Sequence, residues 1–220
     1  MFKILATVIR RATVSHDELV RVWETVHAPH VVKIAKPERY RITFFDQPGA
    51  DADVDSNPGL DGMAELWFRD EQHYDTTIGR NAPPEIMDDR FSDYADITKG
   101  NWLVVTEHLN VDGSTSRATT KFTFFVKRRA GVARAELDRH WLETHVPNVA
   151  AAVERTPGAR RYTVNLVDPA KERRYDGIAQ LWLDGDHSSP PELVGLEPDG
   201  FRDLVQTPLM ARGHEIRIVE

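Results

Sequence analysis

"ELVRVWETVHAP" at 18–29 returns as "ELDRHWLETHVP" at 136–147, so one phrase, E-L-x-x-x-W-x-x-x-H-x-P, occurs twice, 118 residues apart. Its leucine, tryptophan and histidine recur every four residues, which places them on one face of a helix. The match spreads outward from there. "FKILATVIRRATVSHDEL" at 2–19 parallels "KFTFFVKRRAGVARAEL" at 121–137, each an apolar run, two basic residues and a helix start. "PERYRITFFD" at 37–46 parallels "GARRYTVNLVD" at 158–168 and aligns Tyr40 with Tyr162. "LDGMAELWFRD" at 60–70 parallels "YDGIAQLWLDG" at 175–185, and each half closes on another apolar run, at 101–111 and 214–220.

Each half therefore reads strand, helix, strand, strand, helix, strand, with β-branched and aromatic residues in the strands. That order predicts an α+β fold of two ferredoxin-like βαββαβ halves, 1–113 and 114–220. One half alone leaves an apolar sheet face uncovered, so the two are expected to pair within the chain as an α+β barrel. The result is a monomeric pseudo-dimer, with a further homodimer still open. Polar residues 110–120 read as the linker. Ser15 and Glu18 have capping-box spacing, whereas the second copy has Ala133 in the serine's place. Pro29 and Pro147, two positions after each histidine, predict that the first helix of each half kinks or stops there.

The chain carries 35 acidic and 28 basic residues, net −7, without a Lys/Arg stripe, which excludes a surface built for nucleic acid. It has no cysteine, so thiolate chemistry and disulfides are excluded. The apolar run at 4–9 is too short to span a membrane, and a soluble, cytoplasmic protein is expected. His27 and His30 have a spacing that could hold zinc, but Asn148 stands at the second copy's position and no third ligand is evident. The segment 51–59 begins like a calcium loop, yet Ser56 replaces its glycine and Gly62 its final acid; it reads as a surface insertion.

Together the basic pair, the Trp-His-Pro helix, the Arg-Tyr strand and the Asp-Gly-x-Ala-x-Leu-Trp strand resemble the EthD family of the dimeric α+β barrel superfamily, twice in tandem. The resemblance implies a protein that holds a small, often cyclic or aromatic, compound between sheet and helices. Relatives include proteins of ether and aromatic catabolism, muconolactone-type isomerases, polyketide cyclases and dehydratases, and cofactor-independent monooxygenases; haem proteins occur in the wider superfamily. Fold alone does not choose among these chemistries. Similarity to the muconolactone-type methylisomerases marks His27 and Tyr40, with His145 and Tyr162, as lining the substrate site. Those enzymes use a cysteine in the Leu-Trp strand where this chain has Leu66 and Leu181, which argues against the same reaction.

Imidazole suits proton transfer near neutral pH, and a tyrosine hydroxyl can stabilise a substrate oxyanion. The bland alternative is that both are hydrogen-bonded core residues. Trp23, Trp67, Trp141 and Trp182 offer π surfaces for a ligand, though packing accounts for such residues in most cores. Glu65 could orient or deprotonate where its counterpart Gln180 could only hydrogen-bond. Asn165 completes a Tyr-x-x-Asn but points away from Tyr162 in a regular strand. The leading expectation is an acid–base enzyme needing no cofactor or metal and acting as an isomerase, dehydratase, cyclase or lyase. A cofactorless oxygenase or a non-catalytic binding protein are the alternatives. With Tyr40 and Glu65 beside His27, the N-terminal half is expected to carry more of the activity.

Overall fold

A computed structural model describes residues 1–46, 59–116, 118–171 and 174–220; the insertion expected at 51–59 lies outside them but for Gly59. Its elements alternate as the repeat requires. The first half holds β1 (Phe2–Val8), α1 (His16–Val22), α2 (Ala28–Ala35), β2 (Arg39–Phe45), β3 (Gly62–Phe68), α3 (Glu71–Thr77) and β4 (Trp102–Asp112). The second holds β5 (Thr119–Val126), α4 (Arg134–His140), α5 (Val146–Arg155), β6 (Ala159–Val167), β7 (Gly177–Asp184), α6 (Phe201–Leu204) and β8 (Leu209–Val219). The strands close into one eight-stranded barrel in the order β1-β3-β2-β8-β5-β7-β6-β4, the α+β barrel within a single chain that the repeat predicts. The expected linker is shorter than 110–120, because β4 runs on to Asp112 and pairs with β6. The second helix expected in each half forms as α3 in the first but has no counterpart among the described residues of the second, where α6 aligns with the short helical turn at Phe91–Asp93.

The chain forms two compact units, one of residues 1–46, 59–104 and 216–220, the other of 105–215 among those described. In each, one sheet face is packed under helices. Ile4, Ala6, Tyr40, Ile42, Ala64, Leu66 and Phe68 join Leu19, Val22 and Trp23 in the first core. Phe122, Tyr162, Val164, Ala179 and Leu181 join Leu137, Trp141 and Val149 in the second. Burying a large apolar side chain contributes roughly 1.5–3 kcal/mol, so these faces decide strand parity. Parity in turn sends the intervening residues to the opposite face, where Lys3 pairs with Glu65 at 2.9 Å and Lys121 with Glu215 at 2.9 Å.

The repeated motifs have structural explanations. Arg10 and Arg128 of the basic pairs bind Asp61 and Asp176 of the Asp-Gly motifs through both backbone and guanidinium. A second nitrogen group, the His16 imidazole or the Arg134 guanidinium, reaches the same carboxylates. The glycine that follows makes room for the tryptophan. A Cβ at Gly62 would stand 2.8 Å from the Trp23 ring, and one at Gly177 would stand 2.6 Å from Trp141.

Pro29 and Pro147 do not stop their helices. The helix continues to Ala35 in the first half and to Arg155 in the second. The turn from Trp to His is a π-helical one, Trp23–His27 and Trp141–His145, in which the amide after the histidine reaches back five residues to the tryptophan carbonyl. Each proline falls in the first turn of the α-helix that resumes, where its missing N–H is tolerated, and the extra residue of the wide turn absorbs the change in bonding. The histidine thus sits mid-helix, not in a last turn.

Candidate functional site

The π turn carries tryptophan and histidine from one helix face towards the sheet. Trp23 is buried between Gly62 and Phe91, and its indole N–H donates to the Tyr40 hydroxyl at 3.2 Å. Tyr40 is itself buried, and burial, with the nearby Asp89 charge, pushes its pKa well above the usual phenol value against the opposing Trp23 hydrogen bond. It remains a neutral phenol whose oxygen accepts from Trp23, leaving its own proton for a ligand.

His27 donates from Nδ1 to Asp89 Oδ2 at 2.6 Å, and its ring stacks on Phe91 with centroids 3.9 Å apart. A carboxylate only accepts, so the pair keeps a proton on Nδ1, and it is the neutral form of the ring that has its lone pair on Nε2. Burial works to raise the Asp89 pKa, but hydrogen bonds from His27 and the Phe91 amide, with the His27 and His30 charges, hold it below the usual carboxylate range. Neither Asp89 nor Phe91 is among the residues the sequence motifs single out. Their signal is a second repeat, "DRFSD" at 89–93 and "DGFRD" at 199–203.

A cavity of about 240 Å³ opens beside this pair. Trp23, His27, Tyr40, Asp89 and Phe91 line it, with Ala6, Ala64, Leu66 and Ala95 along the sheet side and Ile78, Ile86 and Val31 opposite. Met87, Ile97 and Trp102, all about half exposed, also line it.

The second half repeats the pair. His145 Nδ1 donates to Asp199 Oδ2 at 2.8 Å and stacks on Phe201 at 3.9 Å. Burial lowers the His145 pKa and the His140 charge adds to that, while the Asp199 carboxylate opposes both. The Trp141 indole N–H closes no hydrogen bond, although it is near enough to Tyr162 to oppose the burial-driven rise in that phenol's pKa.

The structure therefore gathers Trp23, His27 and Tyr40 in one place, and Trp141, His145 and Tyr162 in another. It does not bring Glu65, Trp67, Asn165 or Trp182 to either. They occupy the other sheet face, where Lys3 lies over Trp67 and Lys121 over Trp182, 4.2 and 4.5 Å from the ring centroids. Asn165 donates there to Gln180 at 3.1 Å. His30 donates to the Glu85 carbonyl at 2.7 Å, and Asn148 does the same to Glu197 at 2.7 Å. Both tether the loop that carries the aspartate. Among the described residues no three His, Asp or Glu side chains gather as a metal ion would need, and no helix is long and apolar enough to cross a membrane.

Known proteins enlarge this picture. Among solved structures, an anthrone oxidase-like protein superposes with a TM-score of 0.60 at 12% identity, covering 100% of this chain and 94% of its own. A mutant chlorite dismutase from Candidatus Nitrospira defluvii, in complex with cyanide, gives 0.54 at 11% identity, covering 96% and 90%. At such identities the likeness is one of fold. A cavity of about 240 Å³ lies below the range of drug-sized sites, about 300–1,000 Å³. No curated protein matches the sequence. The EthD domain matches it twice, over residues 11–96 and 129–212, and the chain belongs to that family as a tandem pair.

Proposed function

We propose that the protein is an enzyme of small-molecule metabolism in which His27 moves a proton on a neutral one- or two-ring compound. The observation that carries this reading is the His27–Asp89 pair at 2.6 Å on the wall of a largely apolar cavity. Asp89 holds the imidazole in the tautomer whose Nε2 accepts a proton, and its negative charge stabilises the imidazolium that forms. The Tyr40 hydroxyl stands ready to donate to the oxygen of the resulting enolate or phenolate. Asp96, also on the cavity wall, is held down to about 2 by hydrogen bonds from Thr98 and Lys99. With two carboxylates already present, a neutral ligand fits better than an anion.

Return of the proton from Nε2 to a different atom completes an isomerisation. Its delivery to a departing hydroxyl completes a dehydration. A second reading uses the same first step: a carbanion made by His27 reacts with molecular oxygen. The anthrone oxidase-like protein of the same fold is named for chemistry of the oxidase kind, which favours keeping this reading. Cyclic ketones and phenols incubated in D2O under argon test the first step by NMR. Exchange of an acidic C–H that needs His27 supports it, and exchange unchanged in His27→Ala refutes it. Products that appear only when oxygen is admitted assign the second reading.

A further inference from the structure

We infer that Ala6 and Ala95 set the size limit of the cavity, and that the C-terminal half keeps the same histidine–aspartate pair without room for a ligand. The inference rests on the placement of the site proposed above but not on its chemistry. The two halves can be compared position by position. Ala6 pairs across β1–β3 with Ala64, and Phe124 pairs across β5–β7 with Ala179. The isolated bridges Arg10–Ala95 and Arg128–Val205 likewise align Ala95 with Val205. Five other residues of this wall keep their identity, Trp23 with Trp141, Val31 with Val149, Tyr40 with Tyr162, Leu66 with Leu181 and Phe91 with Phe201, while Ser92 and Asp96 are matched by Arg202 and Gln206.

Two alanines that line the cavity beside His27 are thus replaced by phenylalanine and valine. Val205 is buried in the second core and Phe124, partly buried, packs against the same cluster, which also holds Trp141, Tyr162 and Phe201. Interiors are close-packed, so a ring and two extra methyl groups on one wall occupy the volume that a ligand would take. His145 and Asp199 then serve to tie the loop 197–201 to the helix. The limit also defines the ligand class, because below about 300 Å³ a site takes one or two fused rings rather than a drug-sized compound.

The test uses the full chain and 1-naphthol as probe, with stoichiometry by calorimetry and the imidazole signals of His27 and His145 by NMR. One equivalent should bind the natural protein and perturb His27 alone. Ala6→Phe should weaken binding by tenfold or more, and Ala6→Val by less, which keeps the comparison available should the phenylalanine variant fail to fold. Phe124→Ala combined with Val205→Ala should admit a second equivalent that perturbs His145. Perturbation of both histidines in the natural protein, no binding at His27, unchanged affinity in both Ala6 variants, or no second site in the double variant would each overturn the inference. Binding in the expected pattern without any His27-dependent proton exchange would uphold it while removing the function proposed above.

Discussion

The two halves hold the same imidazole in different company. In the first, Asp89 Oδ2 takes the His27 proton at 2.6 Å, while His30 is turned to a carbonyl. In the second, Asp199 Oδ2 is shared between His145 at 2.8 Å and Asn148 at 3.0 Å. Trp23 is hydrogen-bonded to Tyr40, whereas Trp141 is not hydrogen-bonded to Tyr162. The difference separates what the fold needs from what a site needs. The Arg–Asp clamp, the glycine under the tryptophan and the π turn appear in both halves and serve the scaffold. The alanine wall and the undivided carboxylate appear in one.

The largest effect should come from the histidines themselves. With an identified substrate, His27→Ala is expected to lower kcat by about 10²–10⁴-fold, the usual contribution of a general acid–base group, and His145→Ala by less than tenfold. Steady-state kinetics on folded variants decide the matter, and equal losses would mean two working sites. Asp89→Asn should fall between them and alter the pH profile of kcat, since it unsettles the tautomer without removing the ring.

The scaffold glycines sharpen the comparison from the other side. Gly62→Ala and Gly177→Ala force a methyl group against a tryptophan ring and a strand carbonyl, so each should cost about 1–3 kcal/mol by overpacking. Chemical denaturation measures both. A well-tolerated alanine at either position would show that its tryptophan is free to move.

Helix starts should differ more modestly. Ser15 accepts from the Glu18 amide at 3.2 Å, while Ala133 offers no side-chain cap. Ser15→Ala should therefore lose about 1 kcal/mol and Ala133→Ser gain a similar amount. Unequal melting shifts of the same sign would break that symmetry.

Smaller still is a pH effect confined to the second half. The His145 pKa is lowered from 6.5, chiefly by burial, so the unfolded chain binds this proton more readily than the folded one. The stability this contributes is complete above pH 6.5 and is lost as pH falls through the folded pKa. NMR titration should place the His145 midpoint below 6.5. Asp199→Asn, by removing the carboxylate that opposes the shift, should move it lower; a midpoint moving upward would reverse the assigned cause.

Much of this architecture is legible in the residues because burial enforces periodicity. Strand alternation and the four-residue spacing of Leu19, Trp23 and His27 follow from which face is covered. The same alternation explains why Glu65 and Trp67 are absent from the site, since Ala64 and Leu66 occupy the helix-covered face. Asp89 and Phe91 are harder to read because they sit in a loop without periodicity. Their copy lies 110 residues on, not 118, because the segment between β2 and β3 is longer than that between β6 and β7, and the segment from β7 to Asp199 is shorter than that from β3 to Asp89. The proline reading failed for a local reason: a π turn supplies the bonding shift that an α-helix lacks.

Residues 216–220 bear on the order of folding. Ile216 is buried in the core of the first unit, with Ile218 and Val219 packed alongside, although apart from 216–220 every described residue of that unit lies at or before Val104. During synthesis the N-terminal helices and strands emerge long before these residues exist. At about 5–20 residues per second the ribosome needs roughly ten seconds to bridge the gap. Through that interval the half that carries the proposed site waits with part of its core missing, and the intervening half has time to fold before it. Residues 216–220 thus complete the core of a half whose other described parts were made much earlier.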